Sequence, residues 1–146
     1  MLEQVVTIFD GLTKKVKKLK KASYEENMKA FRKEHGHYID EMLQHVEGKE
    51  DKKAAAREVS LDLINQIKEH FSVRGKIRGV VQMDLNLFMI YYVFPSILLT
   101  YHDDAKLLAD TLCEVWNEQF PKEKIGYTDY NTLYKSFNEK ILGIFG

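Results

Sequence analysis

His37, Glu41 and His45 are each four residues apart, a spacing that lines two imidazoles and a carboxylate along one helix flank. Imidazole and carboxylate together suit a transition metal, and helical di-iron bundles bind metal with such groups. Those bundles draw matching ligand pairs from several helices. His70 and His102 have no matching pair pattern, so no cofactor is expected. A solvated flank carrying an ordinary i,i+4 pair explains the same residues. A metal site on His37, Glu41 and His45 is the third of three functional readings.

Asp84 and Asn86 are polar residues inside the most apolar stretch of the chain, 80–99. A carboxylate buried there needs a cation or several donors, because an unpaired buried charge is costly. Arg74, Lys76 and Arg78 are the nearest cations in sequence, but Arg78 cannot share a helix face with Asp84. In one reading Asp84, Asn86, Tyr91 and Tyr92 surround a cavity for a small apolar ligand. In the other they form a buried polar network that sets helix register. His35 falls on an apolar helix face. It either lines a pocket as a pH-sensitive group or packs with its nitrogens satisfied.

Covalent catalysis has little to work with. Cys113 lies on the flank of an amphipathic helix with no histidine close in sequence, which reads as an inert thiol. There is no GxSxG, P-loop, GxGxxG, HExxH or EF-hand pattern. Asp103 and Asp104 read as a helix start, where carboxylates are favoured. Tyr127, Tyr130 and Tyr134 recur at helical spacing, as a buried face or an aromatic groove.

The strongest local charge feature is the lysine run over 14–21. Residues 1–21 carry a local balance of +4, with Lys14, Lys17, Lys18 and Lys21 opposite the apolar stripe. A basic amphipathic helix can lie on an anionic surface. The stripe itself argues that this helix packs on a core, and no aromatic interleaves the lysines as single-stranded nucleic-acid binders require.

The elements that must position these groups are helical. At 146 residues the chain suits one domain, and its eight Gly and two Pro argue against a turn-dense β fold. A formal net charge of zero gives no global signal for nucleic acid. One cysteine excludes an internal disulfide and suits a reducing cytoplasm. Residues 1–11 lack a basic start followed by an apolar run, so no secretory signal is expected.

Apolar periodicity predicts a first helix over 2–20, with Leu2, Val5, Val6, Phe9, Leu12, Val16 and Leu19 inward. Ser23 and Glu26 form a capping-box pattern that starts a second helix, running to about Val46 with a kink at Gly36. A third carries Ala56, Val59, Leu63, Ile64, Ile67 and Phe71 and ends near Arg74, with Leu61 on its opposite side. Residues 81–87 alternate like a strand, but their composition and the lack of a partner strand predict helix. Pro95 then kinks or ends a central buried helix of about 79–94. The polar interruptions argue against a membrane span. A further helix follows Asp104, with Leu107 on its outer side, and a last one starts at Thr128 or Asp129.

The expected architecture is a single all-α domain, 1–146, of five to seven helices around the central one. The preferred function is a soluble, cytoplasmic, non-enzymatic binding module that meets a protein partner or self-associates through surplus apolar surface such as Leu61 and Leu107. The alternative is a helical sensor or enzyme with the pocket near Asp84, Asn86, Tyr91 and Tyr92.

Overall fold

The computed structural model describes residues 5–72, 74, 76–77, 79–100, 102–126, 132 and 135. Tyr127, Tyr130 and Tyr134 of the expected last helix, with Leu2 and Arg78, lie outside the described residues. Gly11 takes φ 66°, a left-handed backbone that favours glycine, and splits the N-terminal apolar stripe. A 3₁₀ turn, Val5–Phe9, precedes it and α1, Leu12–Lys21, follows. The continuous helix expected over 2–20 is therefore corrected to two pieces. Both pieces turn the same side inward, burying Val5, Ile8, Phe9, Leu12, Val16 and Leu19, so the spacing conceals the break. Lys15 spans it by donating from Nζ to the Ile8 carbonyl at 3.0 Å.

Helix α2, Tyr24–Val46, begins where the Ser23 hydroxyl accepts the Glu26 amide at 3.2 Å, as the cap pattern requires. It passes unbroken through Gly36 and ends before Gly48, which has φ 74°. Helix α3, Lys52–Phe71, is capped by Asp51 and stops at Ser72, short of the end expected near Arg74. Lys52, Arg57 and Lys68 reach Asp104, Glu118 and Gln119 in ascending order, so α3 and the last described helix, α5, Ala105–Gln119, run in the same sense.

Helix α4, Gly79–Leu98, resolves the strand-or-helix ambiguity as helix and continues one turn past Pro95. The turn Met89–Val93 is a π turn, with the Phe94 amide bonded to the Met89 carbonyl. A proline has no N–H to donate and its ring clashes with the carbonyl four residues earlier. Widening that turn admits Pro95 without ending the helix. Ser96 Oγ donates to the Tyr92 carbonyl at 2.6 Å, satisfying another carbonyl in the disturbed stretch.

The burial of α4 is uneven. Residues 92–97 are all buried, whereas Val80 and Met83 are 70% and 51% exposed. By length and composition alone Gly79–Leu98 could cross a membrane, but over half of it is buried against α1, α2 and α5. Packing accounts for its apolar surface. All these helices share one hydrophobic cluster, an all-α bundle with α4 at its centre. Leu61 and Leu107, expected as surplus apolar surface, are partly buried against that cluster.

The start of α5 differs in its chemistry from the expected carboxylate cap. Asp104 makes no side-chain cap bond and instead accepts from Lys52 Nζ at 2.9 Å. His102 Nδ1 accepts the Asp104 amide at 3.1 Å, so an imidazole caps that turn.

Two glycines give a test with opposite signs. Gly11→Ala forces a side chain into the left-handed region and is expected to lower stability by about 1–2 kcal/mol. A Cβ on Gly36 meets nothing within 4 Å, so Gly36→Ala should raise stability by about 0.5–1 kcal/mol. Urea unfolding of both variants checks the pair.

Candidate functional site

The two polar residues of α4 have separate fates. Asn86 is buried and faces α5, where its Oδ1 accepts Trp116 Nε1–H at 2.7 Å. Its Nδ2 donates to the Glu123 carbonyl at 2.6 Å, and Gln82, one turn earlier, reaches the Phe120 and Glu123 carbonyls at 3.4 Å. Asn117 holds Ile125 by two bonds of 2.7 and 3.1 Å. Together these amides hold the chain after α5 against α4.

Asp84 is only half-buried and points the other way, accepting Thr13 Oγ1–H of α1 at 2.9 Å. The cation expected beside a buried Asp84 is replaced by a hydroxyl, because the carboxylate lies at the edge of the bundle. Tyr91 stacks on Tyr24 at 5.4 Å, and Tyr92 faces Phe31, Phe88 and α1. Asp84, Asn86, Tyr91 and Tyr92 are thus spread over contacts with three helices, α1, α2 and α5, and do not surround one cavity.

The histidine ladder also spreads. Two four-residue steps rotate a helix position by about 80°. His37 is exposed with its ring 4.1 Å from Tyr38, while His45 Nε2 lies 3.5 Å from Glu58 on α3. Among the described residues no three His, Cys, Asp or Glu side chains gather to hold a metal ion.

What the fold does build is a groove of about 540 Å³ between α1 and α2, floored by Tyr92 of α4. The two-residue turn Ala22–Ser23 closes one end, where Asn27 Nδ2 donates to the Leu19 carbonyl at 2.8 Å. Lys14, Lys15 and Lys18 form the α1 wall, and Glu26, Ala30 and Glu34 form the α2 wall. Among the described residues no ion pair joins the two walls.

Lys15, Glu34 and Tyr92 form the inner end. The Lys15 ammonium lies 4.9 Å from the Tyr92 ring centre and 5.7 Å from that of Phe88, a cation–π position. Burial lowers the Lys15 pKa from its ordinary value, opposed by the charges of Glu34 and Asp10. Burial raises the Tyr92 phenol, reinforced by the Glu34 carboxylate, to which the hydroxyl hydrogen-bonds. His35, partly buried beside Phe31, is held below its usual value by burial and then by the Lys15 charge, against the pull of Glu34.

Burial keeps the Tyr92 phenol protonated, and the Lys15 ammonium is already committed to the Ile8 carbonyl and two rings. Cys113, raised to about 11 by burial and then by Asp110, holds its proton as well. The sequence signals for the groove are the i,i+4 pair Lys14 and Lys18 and the ladder Glu26, Ala30 and Glu34. Lys15 also stands apart as the lysine flanking the Leu12, Val16 and Leu19 stripe. No family model, curated protein or solved structure matches this chain.

Asn86→Ala strands the buried Trp116 N–H and leaves the Glu123 carbonyl only the longer Gln82 bond, and is expected to cost about 2–4 kcal/mol. Asp84→Ala removes only an edge hydrogen bond and should cost under about 1 kcal/mol in the same urea titration. His35 adds a pH dependence. Its depressed folded pKa means the unfolded chain binds more protons, so stability is complete above pH 6.5 and falls as pH drops through 6.5 toward the folded value. Thermal unfolding across that window should show a smaller decline in His35→Asn than in the unsubstituted protein.

Proposed function

We propose that this chain is a non-enzymatic interaction module whose α1–α2 groove binds a short polypeptide segment of mixed charge from a partner protein. The observation that carries this reading is the pair of oppositely charged, unbridged walls above Tyr92. A ligand of one sign is attracted by Lys14 and Lys18 and repelled by Glu26 and Glu34. A peptide with an acidic residue toward α1 and a basic one toward α2 is attracted by both, and its backbone supplies the remaining hydrogen bonds. The groove is open along its length, which suits a chain passing through better than an enclosed small molecule. A reducing cytoplasmic setting is consistent with the single buried thiol of Cys113.

Selection from a random peptide library, followed by fluorescence anisotropy on the enriched peptides, tests the proposal. Lys18→Glu and Glu26→Lys should each weaken binding at least about tenfold, because each turns one attractive contact into a repulsive one. Enriched peptides that bind both charge-reversed variants as tightly as the parent, or the absence of any enriched peptide, would overturn it.

A further inference from the structure

We infer that the outer face of α1, together with Val80 and Met83 of α4, docks on an anionic lipid bilayer. Six of the ten residues in Leu12–Lys21 are lysines and none is acidic. Lys15 turns inward, but Lys14, Lys17, Lys18, Lys20 and Lys21 are all exposed, and none of the five forms an ion pair among the described residues. Elsewhere in the bundle some cations are paired. Lys29 meets Glu25, Lys52 meets Asp104, Lys53 meets Glu114, Arg57 meets Glu118 and Lys106 meets Asp110. In a chain of zero net charge, α1 therefore concentrates uncompensated positive charge on one side.

The apolar contribution adjoins it. Thr13 of α1 bonds Asp84 of α4, and Lys17 and Lys20 lie along the same α1 flank as Thr13. Val80 stands one turn before Asp84 on the matching flank of α4, with Met83 beside it. These are the large hydrophobics left exposed among the described residues.

Lysines beside exposed apolar side chains suit a headgroup layer over acyl chains, because each lysine meets lipid phosphate or carboxylate while Val80 and Met83 enter the boundary. A nucleic acid would use the lysines but has no use for Val80 and Met83, and no aromatic or arginine on α1 is placed to read bases. The inward face of α1 is committed to the core, with Leu12, Val16 and Leu19 buried. The contact is therefore peripheral, and α1 does not embed.

The test is co-sedimentation with phosphatidylcholine vesicles containing about one-third phosphatidylserine, with pure phosphatidylcholine vesicles beside them. The expected result is binding to the anionic vesicles at low salt, release as salt rises, and no binding to the neutral ones. Lys17→Gln, Lys20→Gln and Lys21→Gln together leave the groove walls untouched and should weaken partitioning about a hundredfold, roughly fivefold per lysine. Val80→Ser with Met83→Ser should weaken it several-fold, and circular dichroism confirms that both variants fold. Three results would overturn the inference. They are no anionic binding at low salt, undiminished binding by the triple variant, or duplex DNA bound with the same lysine dependence and no effect of the Val80 and Met83 changes.

Discussion

The bundle is organised around one buried amide. Asn86 accepts from Trp116 and donates to the Glu123 carbonyl, so a single side chain joins α4, α5 and the chain that leaves α5. An apolar residue there would bury as well, but it would leave the Trp116 N–H without a partner. Hydrophobic contact tolerates sliding and rotation, whereas a hydrogen bond of 2.7 Å does not. The amide therefore selects one register of α4 against α5 from the many that burial alone permits.

The opposite end of the bundle depends on α1, whose two flanks have different neighbours. Lys14 and Lys18 look across a groove at the carboxylates of α2, while Lys17 and Lys20 share the flank on which Thr13 touches α4. Lys15, between these faces and the core, is held by a carbonyl and two aromatic rings. A helix of ten residues thus divides five of its six lysines among three roles by rotation alone.

Much of the fold was legible in the residues because amphipathic period and cap chemistry are local. The stripes of α2, α3 and α5 and the Ser23 cap needed no knowledge of neighbours. The break at Gly11 was hidden, since a 3₁₀ turn and a helix can present apolar residues at a spacing close to that of one helix. The passage of α4 through Pro95 was also hidden. Only tight burial of residues 92–97 makes a π turn preferable to ending the helix.

The candidate site was less legible for a related reason. Asp84 and Asn86, two positions apart, look equivalent in the chain, yet a rotation of about 200° sends one to the edge and the other to Trp116. The residues themselves determined an all-α protein, the inward stripes and the basic run on α1. Tertiary structure alone decided which polar groups are buried, which lysines face a groove and which lie free. Those outcomes depend on partners tens of residues away, and no local period encodes the side from which a partner arrives.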